Sequence, residues 1–171
     1  MKKSGQKKQR ILGIDPGFGR IGFGIIEGSG RDWKPVAHGC IETSSKKGFI
    51  ERLEDVHTVL KYIIKKYHPT HSAVEELFFY KNVKTAIDVG QARGVILLTL
   101  REAGLPISEY TPLQIKQSIT GYGRAEKGQL HRMVRMMLGI KKAITPDDAA
   151  DALAIALTCG ASFKMEYMGS K

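Results

Sequence analysis

At 171 residues, with 42% hydrophobic and 26% charged residues, the chain has the balance of one globular domain and excludes a wholly disordered one. Its 27 Lys and Arg against 17 Asp and Glu leave a formal net charge of +10, which points to a polyanionic partner, most often nucleic acid. No apolar run approaches the roughly 18–20 residues of a membrane span, and the Ile11-Leu12-Gly13-Ile14 stretch is too short for a signal-peptide core.

Residues 1–10 carry Lys2, Lys3, Lys7, Lys8 and Arg10 with no acid, half of the charge excess, and read as a disordered basic tail. Residues 11–15 (ILGID) read as a buried strand followed by the turn Pro16-Gly17-Phe18-Gly19. Residues 21–27 and 36–43 read as two more strands, and the short Gly-rich joins predict an antiparallel meander. From 49 to 67, Ile50, Leu53, Val56, Val59, Leu60, Ile63 and Ile64 follow helical spacing, and Pro69 is the stop. Residues 72–77 (SAVEEL) form a short strand ending in acid. A helix from Val83 to Ala103 is stopped by Gly104 and Pro106, and residues 107–110 form a last short strand. Helices follow near 111–119, 126–138 and 146–163, with 164–171 as a C-terminal tail. This order predicts an α/β domain over 11–163. Its mixed five-stranded sheet has three antiparallel strands first, then parallel strands joined by right-handed crossovers, and helices cover both faces. Cys40 and Cys159 have no metal-binding spacing and read as reduced, packed thiols of a cytosolic protein.

Three acidic clusters stand out. Asp15 ends an apolar strand just before Pro-Gly, where α/β sheets gather ligands, although Asp is also a common turn residue. Glu75 and Glu76 end another strand. Neighbours on a strand point to opposite faces, so only one of them can share a site with Asp15, and the pattern leaves open which. In Thr145-Pro146-Asp147-Asp148-Ala149-Ala150-Asp151, Thr145 reads as an N-cap, Pro146 as the first helical residue and Asp148 as a capping-box acid. Asp151 shares a helix face with Asp148 among Ala and Leu, where two unpaired carboxylates repel and are costly to bury. Asp147, four residues before Asp151, fits the same argument equally well. A divalent cation resolves the repulsion, and oxygen ligands suit Mg²⁺.

Taken together, Ile-Leu-Gly-Ile-Asp-Pro-Gly (11–17), Ala-Val-Glu-Glu-Leu-Phe (73–78), Gly-Gln-Ala-Arg-Gly (90–94) and Asp-Ala-Ala-Asp-Ala-Leu-Ala-Ile-Ala (148–156) strongly resemble the RuvC family of Holliday-junction resolvases, in order over about residues 11–161. The resemblance implies a ribonuclease-H-like fold, a homodimer, and Mg²⁺-dependent nicking of four-way DNA junctions in recombination and repair, beside a branch-migration motor complex. It assigns catalysis and metal binding to Asp15, Glu75, Asp148 and Asp151, with Asp15 between two Mg²⁺ ions and Mn²⁺ able to substitute. Asp147 is left to helix capping. Phe78 matches an aromatic that stacks on bases near the crossover, and Lys116 and Lys127 match basic residues near the DNA. Lys81, beside Phe78-Phe79-Tyr80, joins them as a DNA-binding candidate, since stacked aromatics next to a cation suit nucleic acid.

The chemistry implied is two-metal phosphodiester hydrolysis, with ions about 3.5–4 Å apart clamping the phosphate and products ending in 5′ phosphate and 3′ hydroxyl. Gly90 and Gly94, four residues apart, permit close helix approach either within the subunit or across a dimer. The rival readings are another ribonuclease-H-like nuclease and a non-catalytic junction-binding protein. An actin-like ATPase shares the Gly-Ile-Asp-x-Gly pattern but needs a second phosphate motif and domain.

Overall fold

Five strands and five helices follow one another in a computed structural model that describes residues 8–77 and 83–169. They are β1 (Gln9–Asp15), β2 (Arg20–Ser29), β3 (Asp32–Glu42), α1 (Phe49–Tyr67), β4 (His71–Glu75), α2 (Val83–Glu102), β5 (Ile107–Tyr110), α3 (Pro112–Thr120), α4 (Lys127–Leu138) and α5 (Asp147–Gly169). The sheet order is β3-β2-β1-β4-β5. β1, β2 and β3 pair antiparallel, while β1–β4 and β4–β5 are parallel. This is the predicted mixed sheet.

β1 is the middle strand and is covered on both faces, which is why it reads as an unbroken apolar run. Successive side chains point to opposite faces and so divide the core in two. Ile11, Ile26 and Ala73 pack with α3, α4 and α5. Leu12, Ile14, Ile25 and Val74 pack with α1 and α2. α5 is buried nearly all round over Ala149–Cys159, as its Ala-rich sequence demands. It lies unusually close to the sheet because glycines face it. A Cβ on Gly13 would collide with the Ala152 carbonyl oxygen and the Ala156 amide nitrogen, and one on Gly22 with the Asp148 carbonyl.

Several boundaries differ from the sequence reading. β1 starts at Gln9, inside the stretch read as tail, because Arg10 is held by Glu27 and by the Tyr67 carbonyl. α5 runs on to Gly169, through most of the segment read as a C-terminal tail. Pro146 is not the first helical residue: the Thr145–Pro146 peptide is cis and α5 begins at Asp147. α1 ends at a left-handed His68, whose N–H bonds to the Ile64 carbonyl just ahead of Pro69.

Candidate active site

Strand register decides which acids can meet. Gly13 is paired with Ala73 and Ile14 with Val74 on the parallel neighbours β1 and β4. One step further on, Asp15 and Glu75 end the two strands side by side. Both fall on the face shared by Gly13 and Ala73, the face that α5 covers. The alternation turns Glu76 away from that face, and its backbone N–H instead bonds to the Tyr110 carbonyl at 2.8 Å. The choice between Glu75 and Glu76, open from the pattern alone, thus has a geometric answer. α5 contributes the other side. Asp148 stands in its first turn and Asp151 one turn further along.

Asp15, Glu75, Asp151, Lys116 and Lys127 line a single cleft of about 200 Å³, walled by Ile115, Leu130 and Ile155. Asp148 stands at its margin, close enough to raise the pKa of Asp15. Burial pushes the Asp15 carboxyl up to about 8, and the charges of Glu75, Asp151 and Asp148 push the same way. Burial, with Asp151, likewise takes Glu75 up to about 7 against the pull of Lys116 and Lys127. The α5 acids are held by cations. Arg20 lies 3.0 Å from Asp148 Oδ2. Lys127 donates to Asp151 Oδ2 at 2.9 Å, and His131 Nε2 lies 2.7 Å from Asp151 Oδ1.

Among the described residues, no three His, Cys, Asp or Glu side chains converge on one point as a ready ion cage. Arg20 pairs with Asp148 and Lys127 with Asp151, so these carboxylates face cations of the chain itself, and the His131 ring lies against Asp151 as well. The donor set nevertheless fits a hard divalent cation. It is all oxygen, and burial, with mutual repulsion adding to it, disfavours the ionised forms of Asp15 and Glu75 in the absence of a cation.

The sequence candidates therefore divide. Asp15, Glu75, Asp151, Lys116 and Lys127 share the cleft, with Asp148 beside it. Asp147 is well exposed and lies 3.6 Å from Lys127, turned towards the rim. Phe78 and Lys81, with Phe79 and Tyr80, lie outside the described residues. Three residues at the site, His131, Arg20 and Arg93, are not among the sequence candidates. His131 follows Lys127 by four positions on α4, a spacing that puts both on one face and was available as a signal. Arg20 opens β2, two residues from Gly22, the register partner of Asp15. Arg93, inside the Gly-Gln-Ala-Arg-Gly motif, donates from Nε to the Glu75 carbonyl at 3.2 Å and pairs with Glu109, tying α2 to the end of β4. No sequence signal pointed to those long-range partners.

A sheet of this order, with carboxylates from two adjacent strand ends facing a helix that carries more, is the arrangement of the ribonuclease-H-like class. The comparisons with known proteins narrow it. The family profile "Crossover junction endodeoxyribonuclease RuvC" matches residues 11–159. The protein of that name from Petrotoga mobilis is 52% identical over 157 residues, covering 92% of this chain and 96% of its own. The one from Halothermothrix orenii is 52% identical over 155 residues, covering 91% and 94%. A solved structure of T. thermophilus RuvC in complex with Holliday junction substrate matches with a TM-score of 0.88 at 36% identity, over 92% of this chain and 96% of that one. The chain belongs to the RuvC family of crossover junction endodeoxyribonucleases, a family of metal-dependent nucleases.

Proposed function

We propose that this chain resolves four-way DNA junctions by two symmetric cuts that leave 5′ phosphates and 3′ hydroxyls, with Asp15, Glu75, Asp148 and Asp151 holding the divalent cation. The observation that carries the residue assignment is the meeting of Asp15, Glu75 and Asp151 with Lys116 and Lys127 in one cleft. The junction bound to the T. thermophilus relative supports the substrate. The cation read here is Mg²⁺, two per site, with Mn²⁺ as a substitute. When bound, it neutralises charge on the scissile phosphate and acidifies the attacking water.

The remaining steps belong to the chain. Asp15 and Glu75, both raised by burial, release their carboxyl protons as the site loads. Lys116 and Lys127 line the same cleft and offset negative charge that builds on the phosphate oxygens. The apolar wall of Ile115, Leu130 and Ile155 lowers the local dielectric and strengthens each of these interactions. Phe78 as a base-stacking wedge and Lys81 as a phosphate contact rest on the family resemblance.

Two equivalent cuts need two equivalent sites, so the reading includes a homodimer. Support comes from α2. Ile87 and Leu98 are more than half exposed, and the positions of Gly90 and Gly94 on the same helix have nothing within 4 Å of a would-be Cβ. Among the described residues nothing packs against these glycines, which leaves a partly apolar stripe for a second copy. A branch-migration motor as partner and a cytoplasmic location complete the reading on family grounds. No helix among the described residues is long and apolar enough to cross a membrane.

The test is a nicking assay with and without Mg²⁺ on a four-way junction, a plain duplex and an RNA–DNA hybrid. Paired cuts on the junction alone are expected. Hybrid cleavage indicates another ribonuclease-H-like nuclease, and binding without cleavage indicates a junction-binding protein.

A further inference from the structure

Asp151 is gripped at both carboxylate oxygens by side chains one turn apart on α4: Lys127 at Oδ2 and His131 at Oδ1. An ionised carboxylate only accepts hydrogen bonds, so His131 Nε2 carries a proton and donates it in either charge state of the ring. The two grips differ in kind. Lys127 is a long, rotamer-rich chain, 55% exposed, that divides itself between Asp151 and Asp147 and also lines the cleft. His131 is a short, two-torsion ring with only 18% of its side chain exposed. It sits on a helix whose Leu130 and Val134 are buried in the core beneath α5. A phosphate entering the cleft competes for Lys127. His131, unlike Lys127, is not among the residues that line the cleft.

We propose that His131 is the positioning residue of the site, fixing the plane of the Asp151 carboxylate for the divalent cation while Lys127 turns to the phosphate. The inference rests on the reading of Asp151 as a cation ligand. It assigns His131 the task of acting through Asp151, the side chain it contacts. Hydrogen-bonding partners of ligating carboxylates commonly change metal affinity by about 10–100-fold.

Mn²⁺ is the probe, titrated calorimetrically into the full chain without DNA and followed by electron paramagnetic resonance. His131→Ala is expected to weaken Mn²⁺ binding by about 10–100-fold and alter the bound spectrum. His131→Gln, which keeps an N–H donor at the same place on α4, is expected to recover most of both. Recovery by Gln excludes a merely structural role, and circular dichroism confirms that each variant is folded. Mn²⁺ binding by His131→Ala equal to wild type overturns the proposal, as does Gln failing as badly as Ala. Asp151→Asn separates the two levels. If it weakens Mn²⁺ binding while His131→Ala does not, only the positioning role falls. If it leaves Mn²⁺ binding intact, the ligand assignment of Asp151 falls and the proposal with it.

Discussion

Asp15 is the residue on which the electrostatics converge. It sits on the central strand, under α5, where burial raises its pKa and Glu75, Asp151 and Asp148 add to the rise. Replacing it by Asn keeps the shape and removes a group that can ionise within a repelling set. Asp15→Asn is therefore expected to abolish junction cleavage while leaving junction affinity equal or slightly tighter, measured by gel shift alongside nicking. A parallel loss of binding would show that Asp15 does more than catalysis. The same carboxyl sets a pH dependence whose sign follows from the direction of its shift. Folding raises Asp15 from 3.8 to about 8 and Glu75 from 4.5 to about 7, so between those limits the native state holds more protons than the unfolded chain. The stabilisation is full below about pH 4 and is lost as pH rises through 7 to 8. Without metal, thermal stability should fall across that window, and Asp15→Asn should flatten the fall by an amount of the order of a few kcal/mol at pH 8. With subsaturating Mg²⁺ the trend in activity reverses. Loading requires the deprotonated carboxylates, so cleavage should climb from pH 6 to 8, and a flat profile would contradict the assigned ligands.

At the scale of elements, the site depends on how closely α5 approaches the sheet. Gly13 on β1 and Gly22 on β2 leave room for the backbone of α5, and Gly22 lies against the carbonyl of Asp148 itself. Alanine at either position must lift the helix. Overpacking of this kind costs about 1–3 kcal/mol. Gly22→Ala should show that loss in urea unfolding, together with weakened Mg²⁺-dependent cleavage, because it displaces the start of α5 rather than its end. Normal cleavage in a destabilised Gly22→Ala protein would uncouple helix seating from the site. This dependence marks where the sequence was readable. Period-two and helical patterning gave the elements and their order, since the apolar residues of α1 and the meander carry that signal directly. The face of Glu75 needed the β1–β4 register, which no local pattern contains. The start of α5 was misplaced because Thr145-Pro146 has the composition of a cap and first turn, although α5 begins only at Asp147. Arg20 reaches Asp148 from the start of β2 to the start of α5, and Arg93 reaches the Glu75 carbonyl from α2 to the end of β4, both contacts made only by folding.

For the whole molecule, charge and symmetry carry the argument. A net charge of +10 suits a junction of four polyanionic arms, and three carboxylates, Asp15, Glu75 and Asp151, nevertheless share one cleft. On the proposed reading one cleft makes one cut, symmetric resolution takes a second copy, and the stripe on α2 is the surface proposed to hold it. Ile87, Gly90, Gly94 and Leu98 recur at three- and four-residue intervals, so a partner helix crossing there would meet apolar side chains and bare backbone together. Arg93 leaves the same helix on its inner side and holds the Glu75 carbonyl, so the helix at the proposed interface also braces the site. Leu98→Glu adds a charge at an exposed position, 58% accessible, where the isolated subunit loses little by it. It is expected to give a folded monomer by sedimentation, with a wild-type circular dichroism spectrum. On a junction whose unnicked and singly nicked forms are resolved, that monomer should accumulate singly nicked product instead of passing promptly to the paired cut. A Leu98→Glu protein that stays dimeric and cuts in pairs would move the interface away from α2.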